Sequence, residues 1–208
     1  TLSDAVLDGT NLSGAFLIRA DIGKLVLRDL NLSGAFLGEA NLSRATMDRV
    51  DLSGSDLSSA DLSGVTMNIV DLSSADLSSV NLSSADLSGV DLSQGNLKGA
   101  VLSGADLSGA DLNGADLKDA DLSGADLSEG NLVGANLNSA NLQQSRLNKA
   151  NFSAANLSLS NLKDVNLSEL NLSFSNLKWA DLSGANLKNA NLKNANLNGA
   201  VLSGADLS

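Results

Sequence analysis

From Leu2 to Leu207 every fifth residue is large and apolar, 42 positions without an insertion or deletion. All are leucine except Ile22, Met47, Met67 and Phe152. Three residues after each comes a small or aliphatic one, usually alanine as at Ala15, Ala60 and Ala105, sometimes larger as at Leu25, Val50, Val70 and Leu170. With the leucine at position i, the unit reads alanine at i−2, aspartate or asparagine at i−1, leucine at i, then serine or another polar residue at i+1 and glycine or a polar residue at i+2. A period of five suits neither regular element. An α-helix turning ~100° per residue would spread the leucines over all its faces, and an odd period would alternate them across a flat strand. The chain must turn within each unit, with i and i−2 facing inward. Glycine at i+2, as at Gly14, Gly34, Gly54, Gly64, Gly104, Gly124 and Gly204, marks the place where the turn needs conformational freedom. The elements predicted are therefore short extended segments, one per unit, stacked through parallel backbone hydrogen bonds at a spacing of ~4.8 Å.

How many units complete one level is read from longer recurrences. Phe16 and Phe36, Met47 and Met67, Val50, Val70 and Val90, and Lys98 and Lys118 all recur at twenty, while some recurrences at ten leave the shorter level open. Units such as Ala105-Asp106-Leu107-Ser108-Gly109 resemble the pentapeptide-repeat family, with its A(D/N)LXX motif, and the resemblance covers the whole chain. It implies an all-β fold, a right-handed quadrilateral parallel β-helix with four pentapeptides per coil and with i and i−2 inside. On that basis the 208 residues form one domain, 1–208, of about ten coils and a rod about 50 Å long. Neither end carries an obvious polar cap, so native terminal caps are expected to be missing and end-to-end self-association through uncapped coils is expected.

Composition narrows the chemistry. Aromatic residues make up 2% of the chain, so the core is aliphatic, and with no cysteine there is neither a disulfide nor a thiolate metal site. Histidine and tyrosine are also absent, which leaves Asp, Glu, Lys and Arg as the only acid–base groups, on a convex rod without a predicted cleft. The expectation is a protein that is not an enzyme, with no catalytic residue and no cofactor. A flat ladder of aspartates does not converge the six to eight oxygens a calcium site needs, so no metal site is expected. Eight Asn-x-Ser sequons, Asn11-Leu12-Ser13 among them, follow automatically from the repeat. No apolar run reaches 18 residues and no basic, apolar leader opens the chain, so no membrane association is expected and the cytoplasm is the expected compartment. Thr1 is not methionine and both ends fall inside the repeat, which suggests a fragment.

Charge gives the chain its only large-scale asymmetry. Residues 51–130 hold 14 acids against Lys98 and Lys118, net −12, whereas residues 1–50 are net −1 and residues 131–208 net +2. At i−1 one column, taken every twenty residues, reads Asn11, Asn31, Asp51, Asp71, Asp91, Asp111 and then Asn131, Asn151, Asn171 and Asn191. Stacked asparagines can exchange side-chain hydrogen bonds along the rod. Stacked aspartates repel, and each needs water, a backbone donor or a cation. Asp51, Asp71, Asp91 and Asp111, with Asp86, Asp106 and Asp126, read either as a solvated surface that keeps rods from aggregating or as the candidate acidic surface for a basic partner. Such a surface disfavours nucleic acid as a partner. A second candidate is apolar. Leu159 and Trp179 share an i+2 column with Phe174 one side away, a candidate docking patch. Phe16, Phe36, Val6 and Val26 occupy normally polar i−1 sites near the other end.

The reading that follows is a noncatalytic structural or protein-interaction module, with a bacterial, cyanobacterial source expected from the family's distribution and a protein partner that is unknown. One alternative comes from the resemblance: some pentapeptide-repeat proteins protect DNA gyrase or topoisomerase IV from quinolones by presenting a rod like duplex DNA in size and charge. Those members carry C-terminal dimerising extras and often a loop that interrupts the rod, neither of which stands in this sequence. Another alternative is the repeat segment of a larger effector or signalling protein.

Overall fold

The computed structural model describes residues 7–208, and among them there is no helix. Each unit is a bridge residue at i−1, the core residue i and a two-residue turn. The bridges are parallel and join residues twenty apart: Asn31 to Asp51, Asp51 to Asp71, Asp91 to Asp111. The ten-residue level that the sequence left open is not used. Three bridges lengthen into strands, β1 (Val26–Arg28), β2 (Thr46–Asp48) and β3 (Thr66–Asn68), which form one parallel sheet in the order β1-β2-β3 with Met47 paired to Leu27 and Met67. The fold is an all-β solenoid.

Backbone hydrogen bonding explains the unit position by position. The N–H of i donates to the i−1 carbonyl one level on, as Leu52 to Asp71 at 2.8 Å, and the N–H of i+2 to the i+1 carbonyl one level on, as Gly54 to Ser73 at 2.9 Å. The N–H of i−1 reaches one level back, as Asp71 to Val50 at 3.1 Å, and that of i−2 closes the turn, as Ala75 to Leu72 at 3.1 Å. One donor is left over, the N–H of i+1. The side chain at i−1 takes it: Ser73 N–H donates to Asp71 Oδ1 at 2.8 Å, Ser93 to Asp91 at 2.9 Å and Ser173 to Asn171 at 3.2 Å. Aspartate and asparagine share this acceptor oxygen, which is why both, and little else, fill the position.

At i+2 every described unit has φ near +60°, whether or not the residue is glycine; Gly54 is at 61°, Ile69 at 54° and Trp179 at 62°. The turn therefore imposes the left-handed conformation, and glycine is only its least strained occupant.

Two residues decide whether a turn closes. The turn-closing bond is missing before Leu25, Leu30, Val50 and Val70. Each of these i−2 residues is bulky, and in each unit the i+1 N–H lacks an Asx acceptor. Val26, Thr46 and Thr66 have no such acceptor to offer, and Asp21 Oδ1 accepts from Asn41 Nδ2 at 2.9 Å but not from the Gly23 N–H. A bulky i−2 residue with a capped unit still closes, as Val80 and Val90 do at 3.1 Å, and so does an uncapped unit with alanine, as Ala20 after Phe16 and Ala105 after Val101. β1, β2 and β3 are the open turns of one side, extended because neither the cap nor a small residue holds them shut.

The leucine and alanine columns form one continuous aliphatic core, fully buried from Leu27 to Leu187 with Phe152 as its largest member. Burial of each leucine is worth roughly 1.5–3 kcal/mol before the cost of ordering the chain. Four serines replace alanine at i−2. Ser145, Ser160 and Ser175 each donate Oγ–H to the carbonyl three residues back at 2.7 Å, while the buried Ser55 Oγ has no partner among the described residues.

Candidate interaction surfaces

Because i−1 side chains stand outward at every level, the register converts sequence columns into surface ladders. Asp51, Asp71, Asp91 and Asp111 are consecutive bridge residues, and Asp86, Asp106 and Asp126 form the ladder five residues earlier on the adjoining side. Asp71 and Asp106 are exposed and the other five half-buried. Each directs Oδ1 at the i+1 N–H of its own unit; for Asp51, Asp106 and Asp126 the distance is 2.9 Å. The needed backbone donor is thus built into the repeat. Asp126 also meets Arg146 at 2.8 Å, and although burial opposes it, the Ser128 hydroxyl and N–H and the Arg146 guanidinium hold its carboxyl below the usual aspartate range. None of the other six is in an ion pair among the described residues.

Many of the asparagines beyond them do form ladders, the Nδ2 donating toward the preceding level. Asn176 donates to Asn156 at 3.0 Å, Asn156 to Asn136 at 2.9 Å and Asn136 to Asp116 at 2.8 Å. Asn161 donates to Asn141 at 3.2 Å and Asn141 to Asp121 at 3.0 Å. Asp116 and Asp121 are therefore the acceptors on which these two asparagine ladders end, and Asp111 accepts one Nδ2 donor, Asn131 alone, at 2.9 Å. Within the run Asp51 to Asp111 no such donor exists.

Leu159, Phe174 and Trp179 are exposed, each at an i+2 corner with φ of 61° or 62°. Leu159 and Trp179 occupy consecutive levels, Leu159 N–H donating to the Lys178 carbonyl at 3.0 Å. The Trp179 indole lies across Gly199, where a Cβ would collide with its six-membered ring, and Lys178 Nζ sits 6.0 Å from the ring centroid. Phe174 lies at the preceding corner, where its N–H donates to the Lys193 carbonyl at 2.9 Å. Near the other end Phe16 stacks on Phe36, centroids 4.8 Å apart and planes 7° from parallel, with Phe16 80% exposed. Val26 is also exposed but belongs to another ladder, paired with Thr46, and Val6 lies outside the described residues.

Depressions on this surface are open and shallow, such as the one lined by Ser108, Gly109, Ser128, Glu129, Asn148 and Lys149. Among the described residues no group of three or more acidic side chains is arranged to hold a metal ion, and no helix is long and apolar enough to cross a membrane.

A twenty-residue parallel register, an i-and-i−2 core and an Asx-capped five-residue turn define a repeat solenoid, and the sequence profile of pentapeptide repeats matches eight copies that extend from residues 1–22 through 26–64 and 96–132 to 171–208. The chain belongs to the pentapeptide-repeat family. Among solved structures it is similar to HetL, a pentapeptide repeat protein involved in heterocyst differentiation regulation in the cyanobacterium Nostoc sp. strain PCC 7120, at 34% identity over 93% of this chain and 89% of that one, with a TM-score of 0.41. Full-length QnrB1, a plasmid-mediated fluoroquinolone resistance protein, is 18% identical over 88% of this chain and 92% of its own, with a TM-score of 0.54, a likeness of fold alone. A pentapeptide repeat protein of the Arabidopsis thaliana thylakoid lumen is 41% identical over 48% of this chain and 69% of its own, with a TM-score of 0.46. A search of curated protein sequences returned no match.

Sequence reasoning assigned the i−1 side chains to the outer surface and named a backbone donor as one of three partners for the aspartates, but did not find that the i+1 N–H of the same unit supplies it throughout the repeat. The signal was present: a position that accepts Asp and Asn alike, across a large change in local charge, is selected for what those residues share. That shared feature is the Oδ1 acceptor.

Proposed function

We propose that this pentapeptide-repeat protein is a noncatalytic interaction rod whose acidic middle, Asp51, Asp71, Asp91 and Asp111 with Asp86, Asp106 and Asp126, recognises a basic protein. One observation carries the reading: the fold asks only for an Asx oxygen at i−1, and in the same column it accepts asparagine at Asn31 and Asn131 on either side of the aspartate run. Asparagine also adds a ladder bond that aspartate cannot give. The charge is therefore not there for the fold, and unpaired like charges stacked at ~4.8 Å oppose it by about 1 kcal/mol per neighbour even in bulk water. A surface that keeps such charges has a use for them in attraction. The Leu159 and Trp179 corner, with Phe174 at the preceding corner, is the proposed apolar contact of the same module.

The supporting architecture is proposed as one domain of about ten right-handed, four-sided coils, as the four pentapeptides in each twenty-residue register step suggest. The test replaces Asp51, Asp71, Asp91 and Asp111 by asparagine and compares pull-downs from the source organism at rising salt. A partner that binds the wild type, weakens as salt screens it and is lost with the asparagine variant supports the reading; partners retained equally by both proteins refute it. Trp179→Ala with Leu159→Ala, in the same assay, tests the apolar corner.

A second, narrower reading places a type II topoisomerase as the partner, the rod mimicking duplex DNA. The concentration of net charge in residues 51–130 favours it. A gyrase supercoiling assay with and without a quinolone decides: no effect at large molar excess of the rod removes this reading.

A further inference from the structure

We infer that the face carrying Leu159, Phe174 and Trp179 docks a short acidic segment of a partner protein, a segment with at least one apolar side chain. The inference rests on that face being a contact surface, as proposed above, and assigns it a partner chemistry opposite to that of the acidic middle.

The observation is a change of hydrogen-bonding polarity at one level. Two adjoining ladders run past these corners, one through Asn131, Asn151 and Asn171 and the next through Asn136, Asn156 and Asn176. Along the same two columns every i−1 residue from Asp51 to Asp116 is aspartate except Asn96, and every one from Asn131 to Asn196 is asparagine. An ionised aspartate there only accepts. The asparagines have their acceptors filled from within the rod. Asn156 Oδ1 accepts from the Ser158 N–H at 3.3 Å, the Ser158 hydroxyl at 2.7 Å and Asn176 Nδ2 at 3.0 Å, and Asn171 Oδ1 is filled in the same way by Ser173 and Asn191. Each Nδ2 gives one hydrogen to the level before, Asn156 to Asn136 at 2.9 Å and Asn171 to Asn151 at 3.2 Å. The second hydrogen has no acceptor among the described residues. The asparagine ladders therefore offer spare donors, where the aspartate columns offer acceptors.

Charge points the same way. Residues 131–139, 151–159, 171–179 and 191–199, which make up the two sides over these levels, contain no acidic residue. They do contain Lys178 and Lys193, and neither is in an ion pair among the described residues. Glu169 and Asp181 belong to the two neighbouring sides. Carboxylates of one partner segment can take the spare amide hydrogens and the two ammonium groups together. An apolar side chain of that segment covers Leu159, Phe174 and Trp179, each of which is more than half exposed.

Length selects the kind of anion. Asn131 and Asn191 are three bridges apart, about 15 Å at the parallel spacing, which an extended segment of about five residues spans. One level before Asn131 and Asn136 the same two sides carry Asp111, Asp116 and Asp119. An anionic lipid surface or a nucleic acid strand laid along the rod continues onto those aspartates and is repelled, whereas a short acidic segment stops before them.

Trp179 is the only tryptophan of the chain, so its emission reports this face directly. The experiment titrates the 208-residue chain with a capped peptide of alternating glutamate and leucine and follows that emission at low and at high salt. The expected result is a saturable change that weakens as salt rises. A peptide of alternating lysine and leucine is expected to leave Trp179 emission unchanged. Lys178→Glu with Lys193→Glu is expected to weaken the acidic peptide by about tenfold or more at an unchanged melting temperature. The Asp51, Asp71, Asp91 and Asp111 to asparagine variant is expected to bind it at least as well as the wild type, so failure of the basic-partner reading and failure of this one are distinguishable. No change in emission at millimolar acidic peptide overturns the inference, as does an equal response to the basic peptide or a response that the lysine substitutions leave intact. Phosphatidylserine vesicles or oligothymidylate that shift Trp179 emission where the acidic peptide does not also overturn it, and assign the face to that class of anion.

Discussion

The two-residue rule for turn closure makes a quantitative prediction on one ladder. Asp86 and Asp106 are consecutive members of it, and each caps its own unit, Ser88 N–H to Asp86 Oδ1 at 3.2 Å and Ser108 N–H to Asp106 Oδ1 at 2.9 Å. They differ in what closes the turn that follows. After Asp86 it is Val90, whose N–H donates to Leu87 at 3.1 Å; after Asp106 it is Ala110, donating to Leu107 at 3.0 Å. Asp106→Ala removes the cap alone, a loss of about 1 kcal/mol, like other Asx caps. Asp86→Ala leaves an uncapped unit with valine at i−2, the combination found open at Val50 and Val70. It is expected to lose the Val90 turn bond as well, for a total of about 2 kcal/mol. Because a solenoid need not unfold in one step, site-resolved hydrogen exchange is the right assay. In Asp86→Ala the Val90 amide should lose protection beyond its neighbours by about tenfold for each 1.4 kcal/mol. In Asp106→Ala the Ala110 amide should keep its protection relative to its neighbours. Equal relative losses at Val90 and Ala110 would refute the rule.

Further outcomes follow from the core and the surface. Ser55→Ala removes the one buried hydroxyl without a partner and is expected to stabilise by about 1 kcal/mol, whereas Ser160→Ala breaks a 2.7 Å bond and should bring no gain, both read by thermal denaturation. Leu107→Asp places a charge in the sealed core and should cost more than about 4 kcal/mol or abolish soluble expression, while Ser108→Ala should change stability by less than about 0.5 kcal/mol. Acid should destabilise the rod. Hydrogen bonds from Arg19 to Glu39, from Arg49 to Asp29, from Lys149 to Glu129 and from Ser183 to Asp181 lower those carboxyl pKa values. Groups lowered on folding contribute stability above their unfolded pKa and lose it as pH falls through the folded one. The melting temperature should therefore be level from pH 8 to about 5, where the sequence has no histidine to titrate, and should fall below about pH 4. A fall that begins above pH 6 would contradict this.

Much of the fold was legible because its strongest signal, an apolar residue at every fifth place, can be buried only by a chain that turns within each unit. The i+2 glycines located the turn, but they did not disclose that Ile69, Leu159, Phe174 and Trp179 take the same left-handed conformation, because the stacked hydrogen bonds impose it regardless of side chain. The twenty-residue register stood in the Phe16 and Phe36 pair and the Met47 and Met67 pair, both of which face each other at adjoining levels. The three open turns at β1, β2 and β3 were not legible. They depend on a pair of residues four apart, Val26 with Leu30 or Thr46 with Val50, and neither is unusual alone. For the candidate surfaces the sequence told which residues stand in line, and the structure added what each is already bound to. Asp71 and Asp91 are surface charges and also caps.

That double role is the centre of the account, and the Asp51, Asp71, Asp91 and Asp111 to asparagine variant tests it directly. Asparagine keeps Oδ1 for Ser53, Ser73, Ser93 and Asn113, removes four stacked charges and adds Nδ2 donors toward the preceding level. Its melting temperature, measured beside that of the wild type at low salt, is predicted to be equal or higher. A clear fall would mean that the fold needs aspartate itself there, and the argument that its charge is kept for a partner would fail.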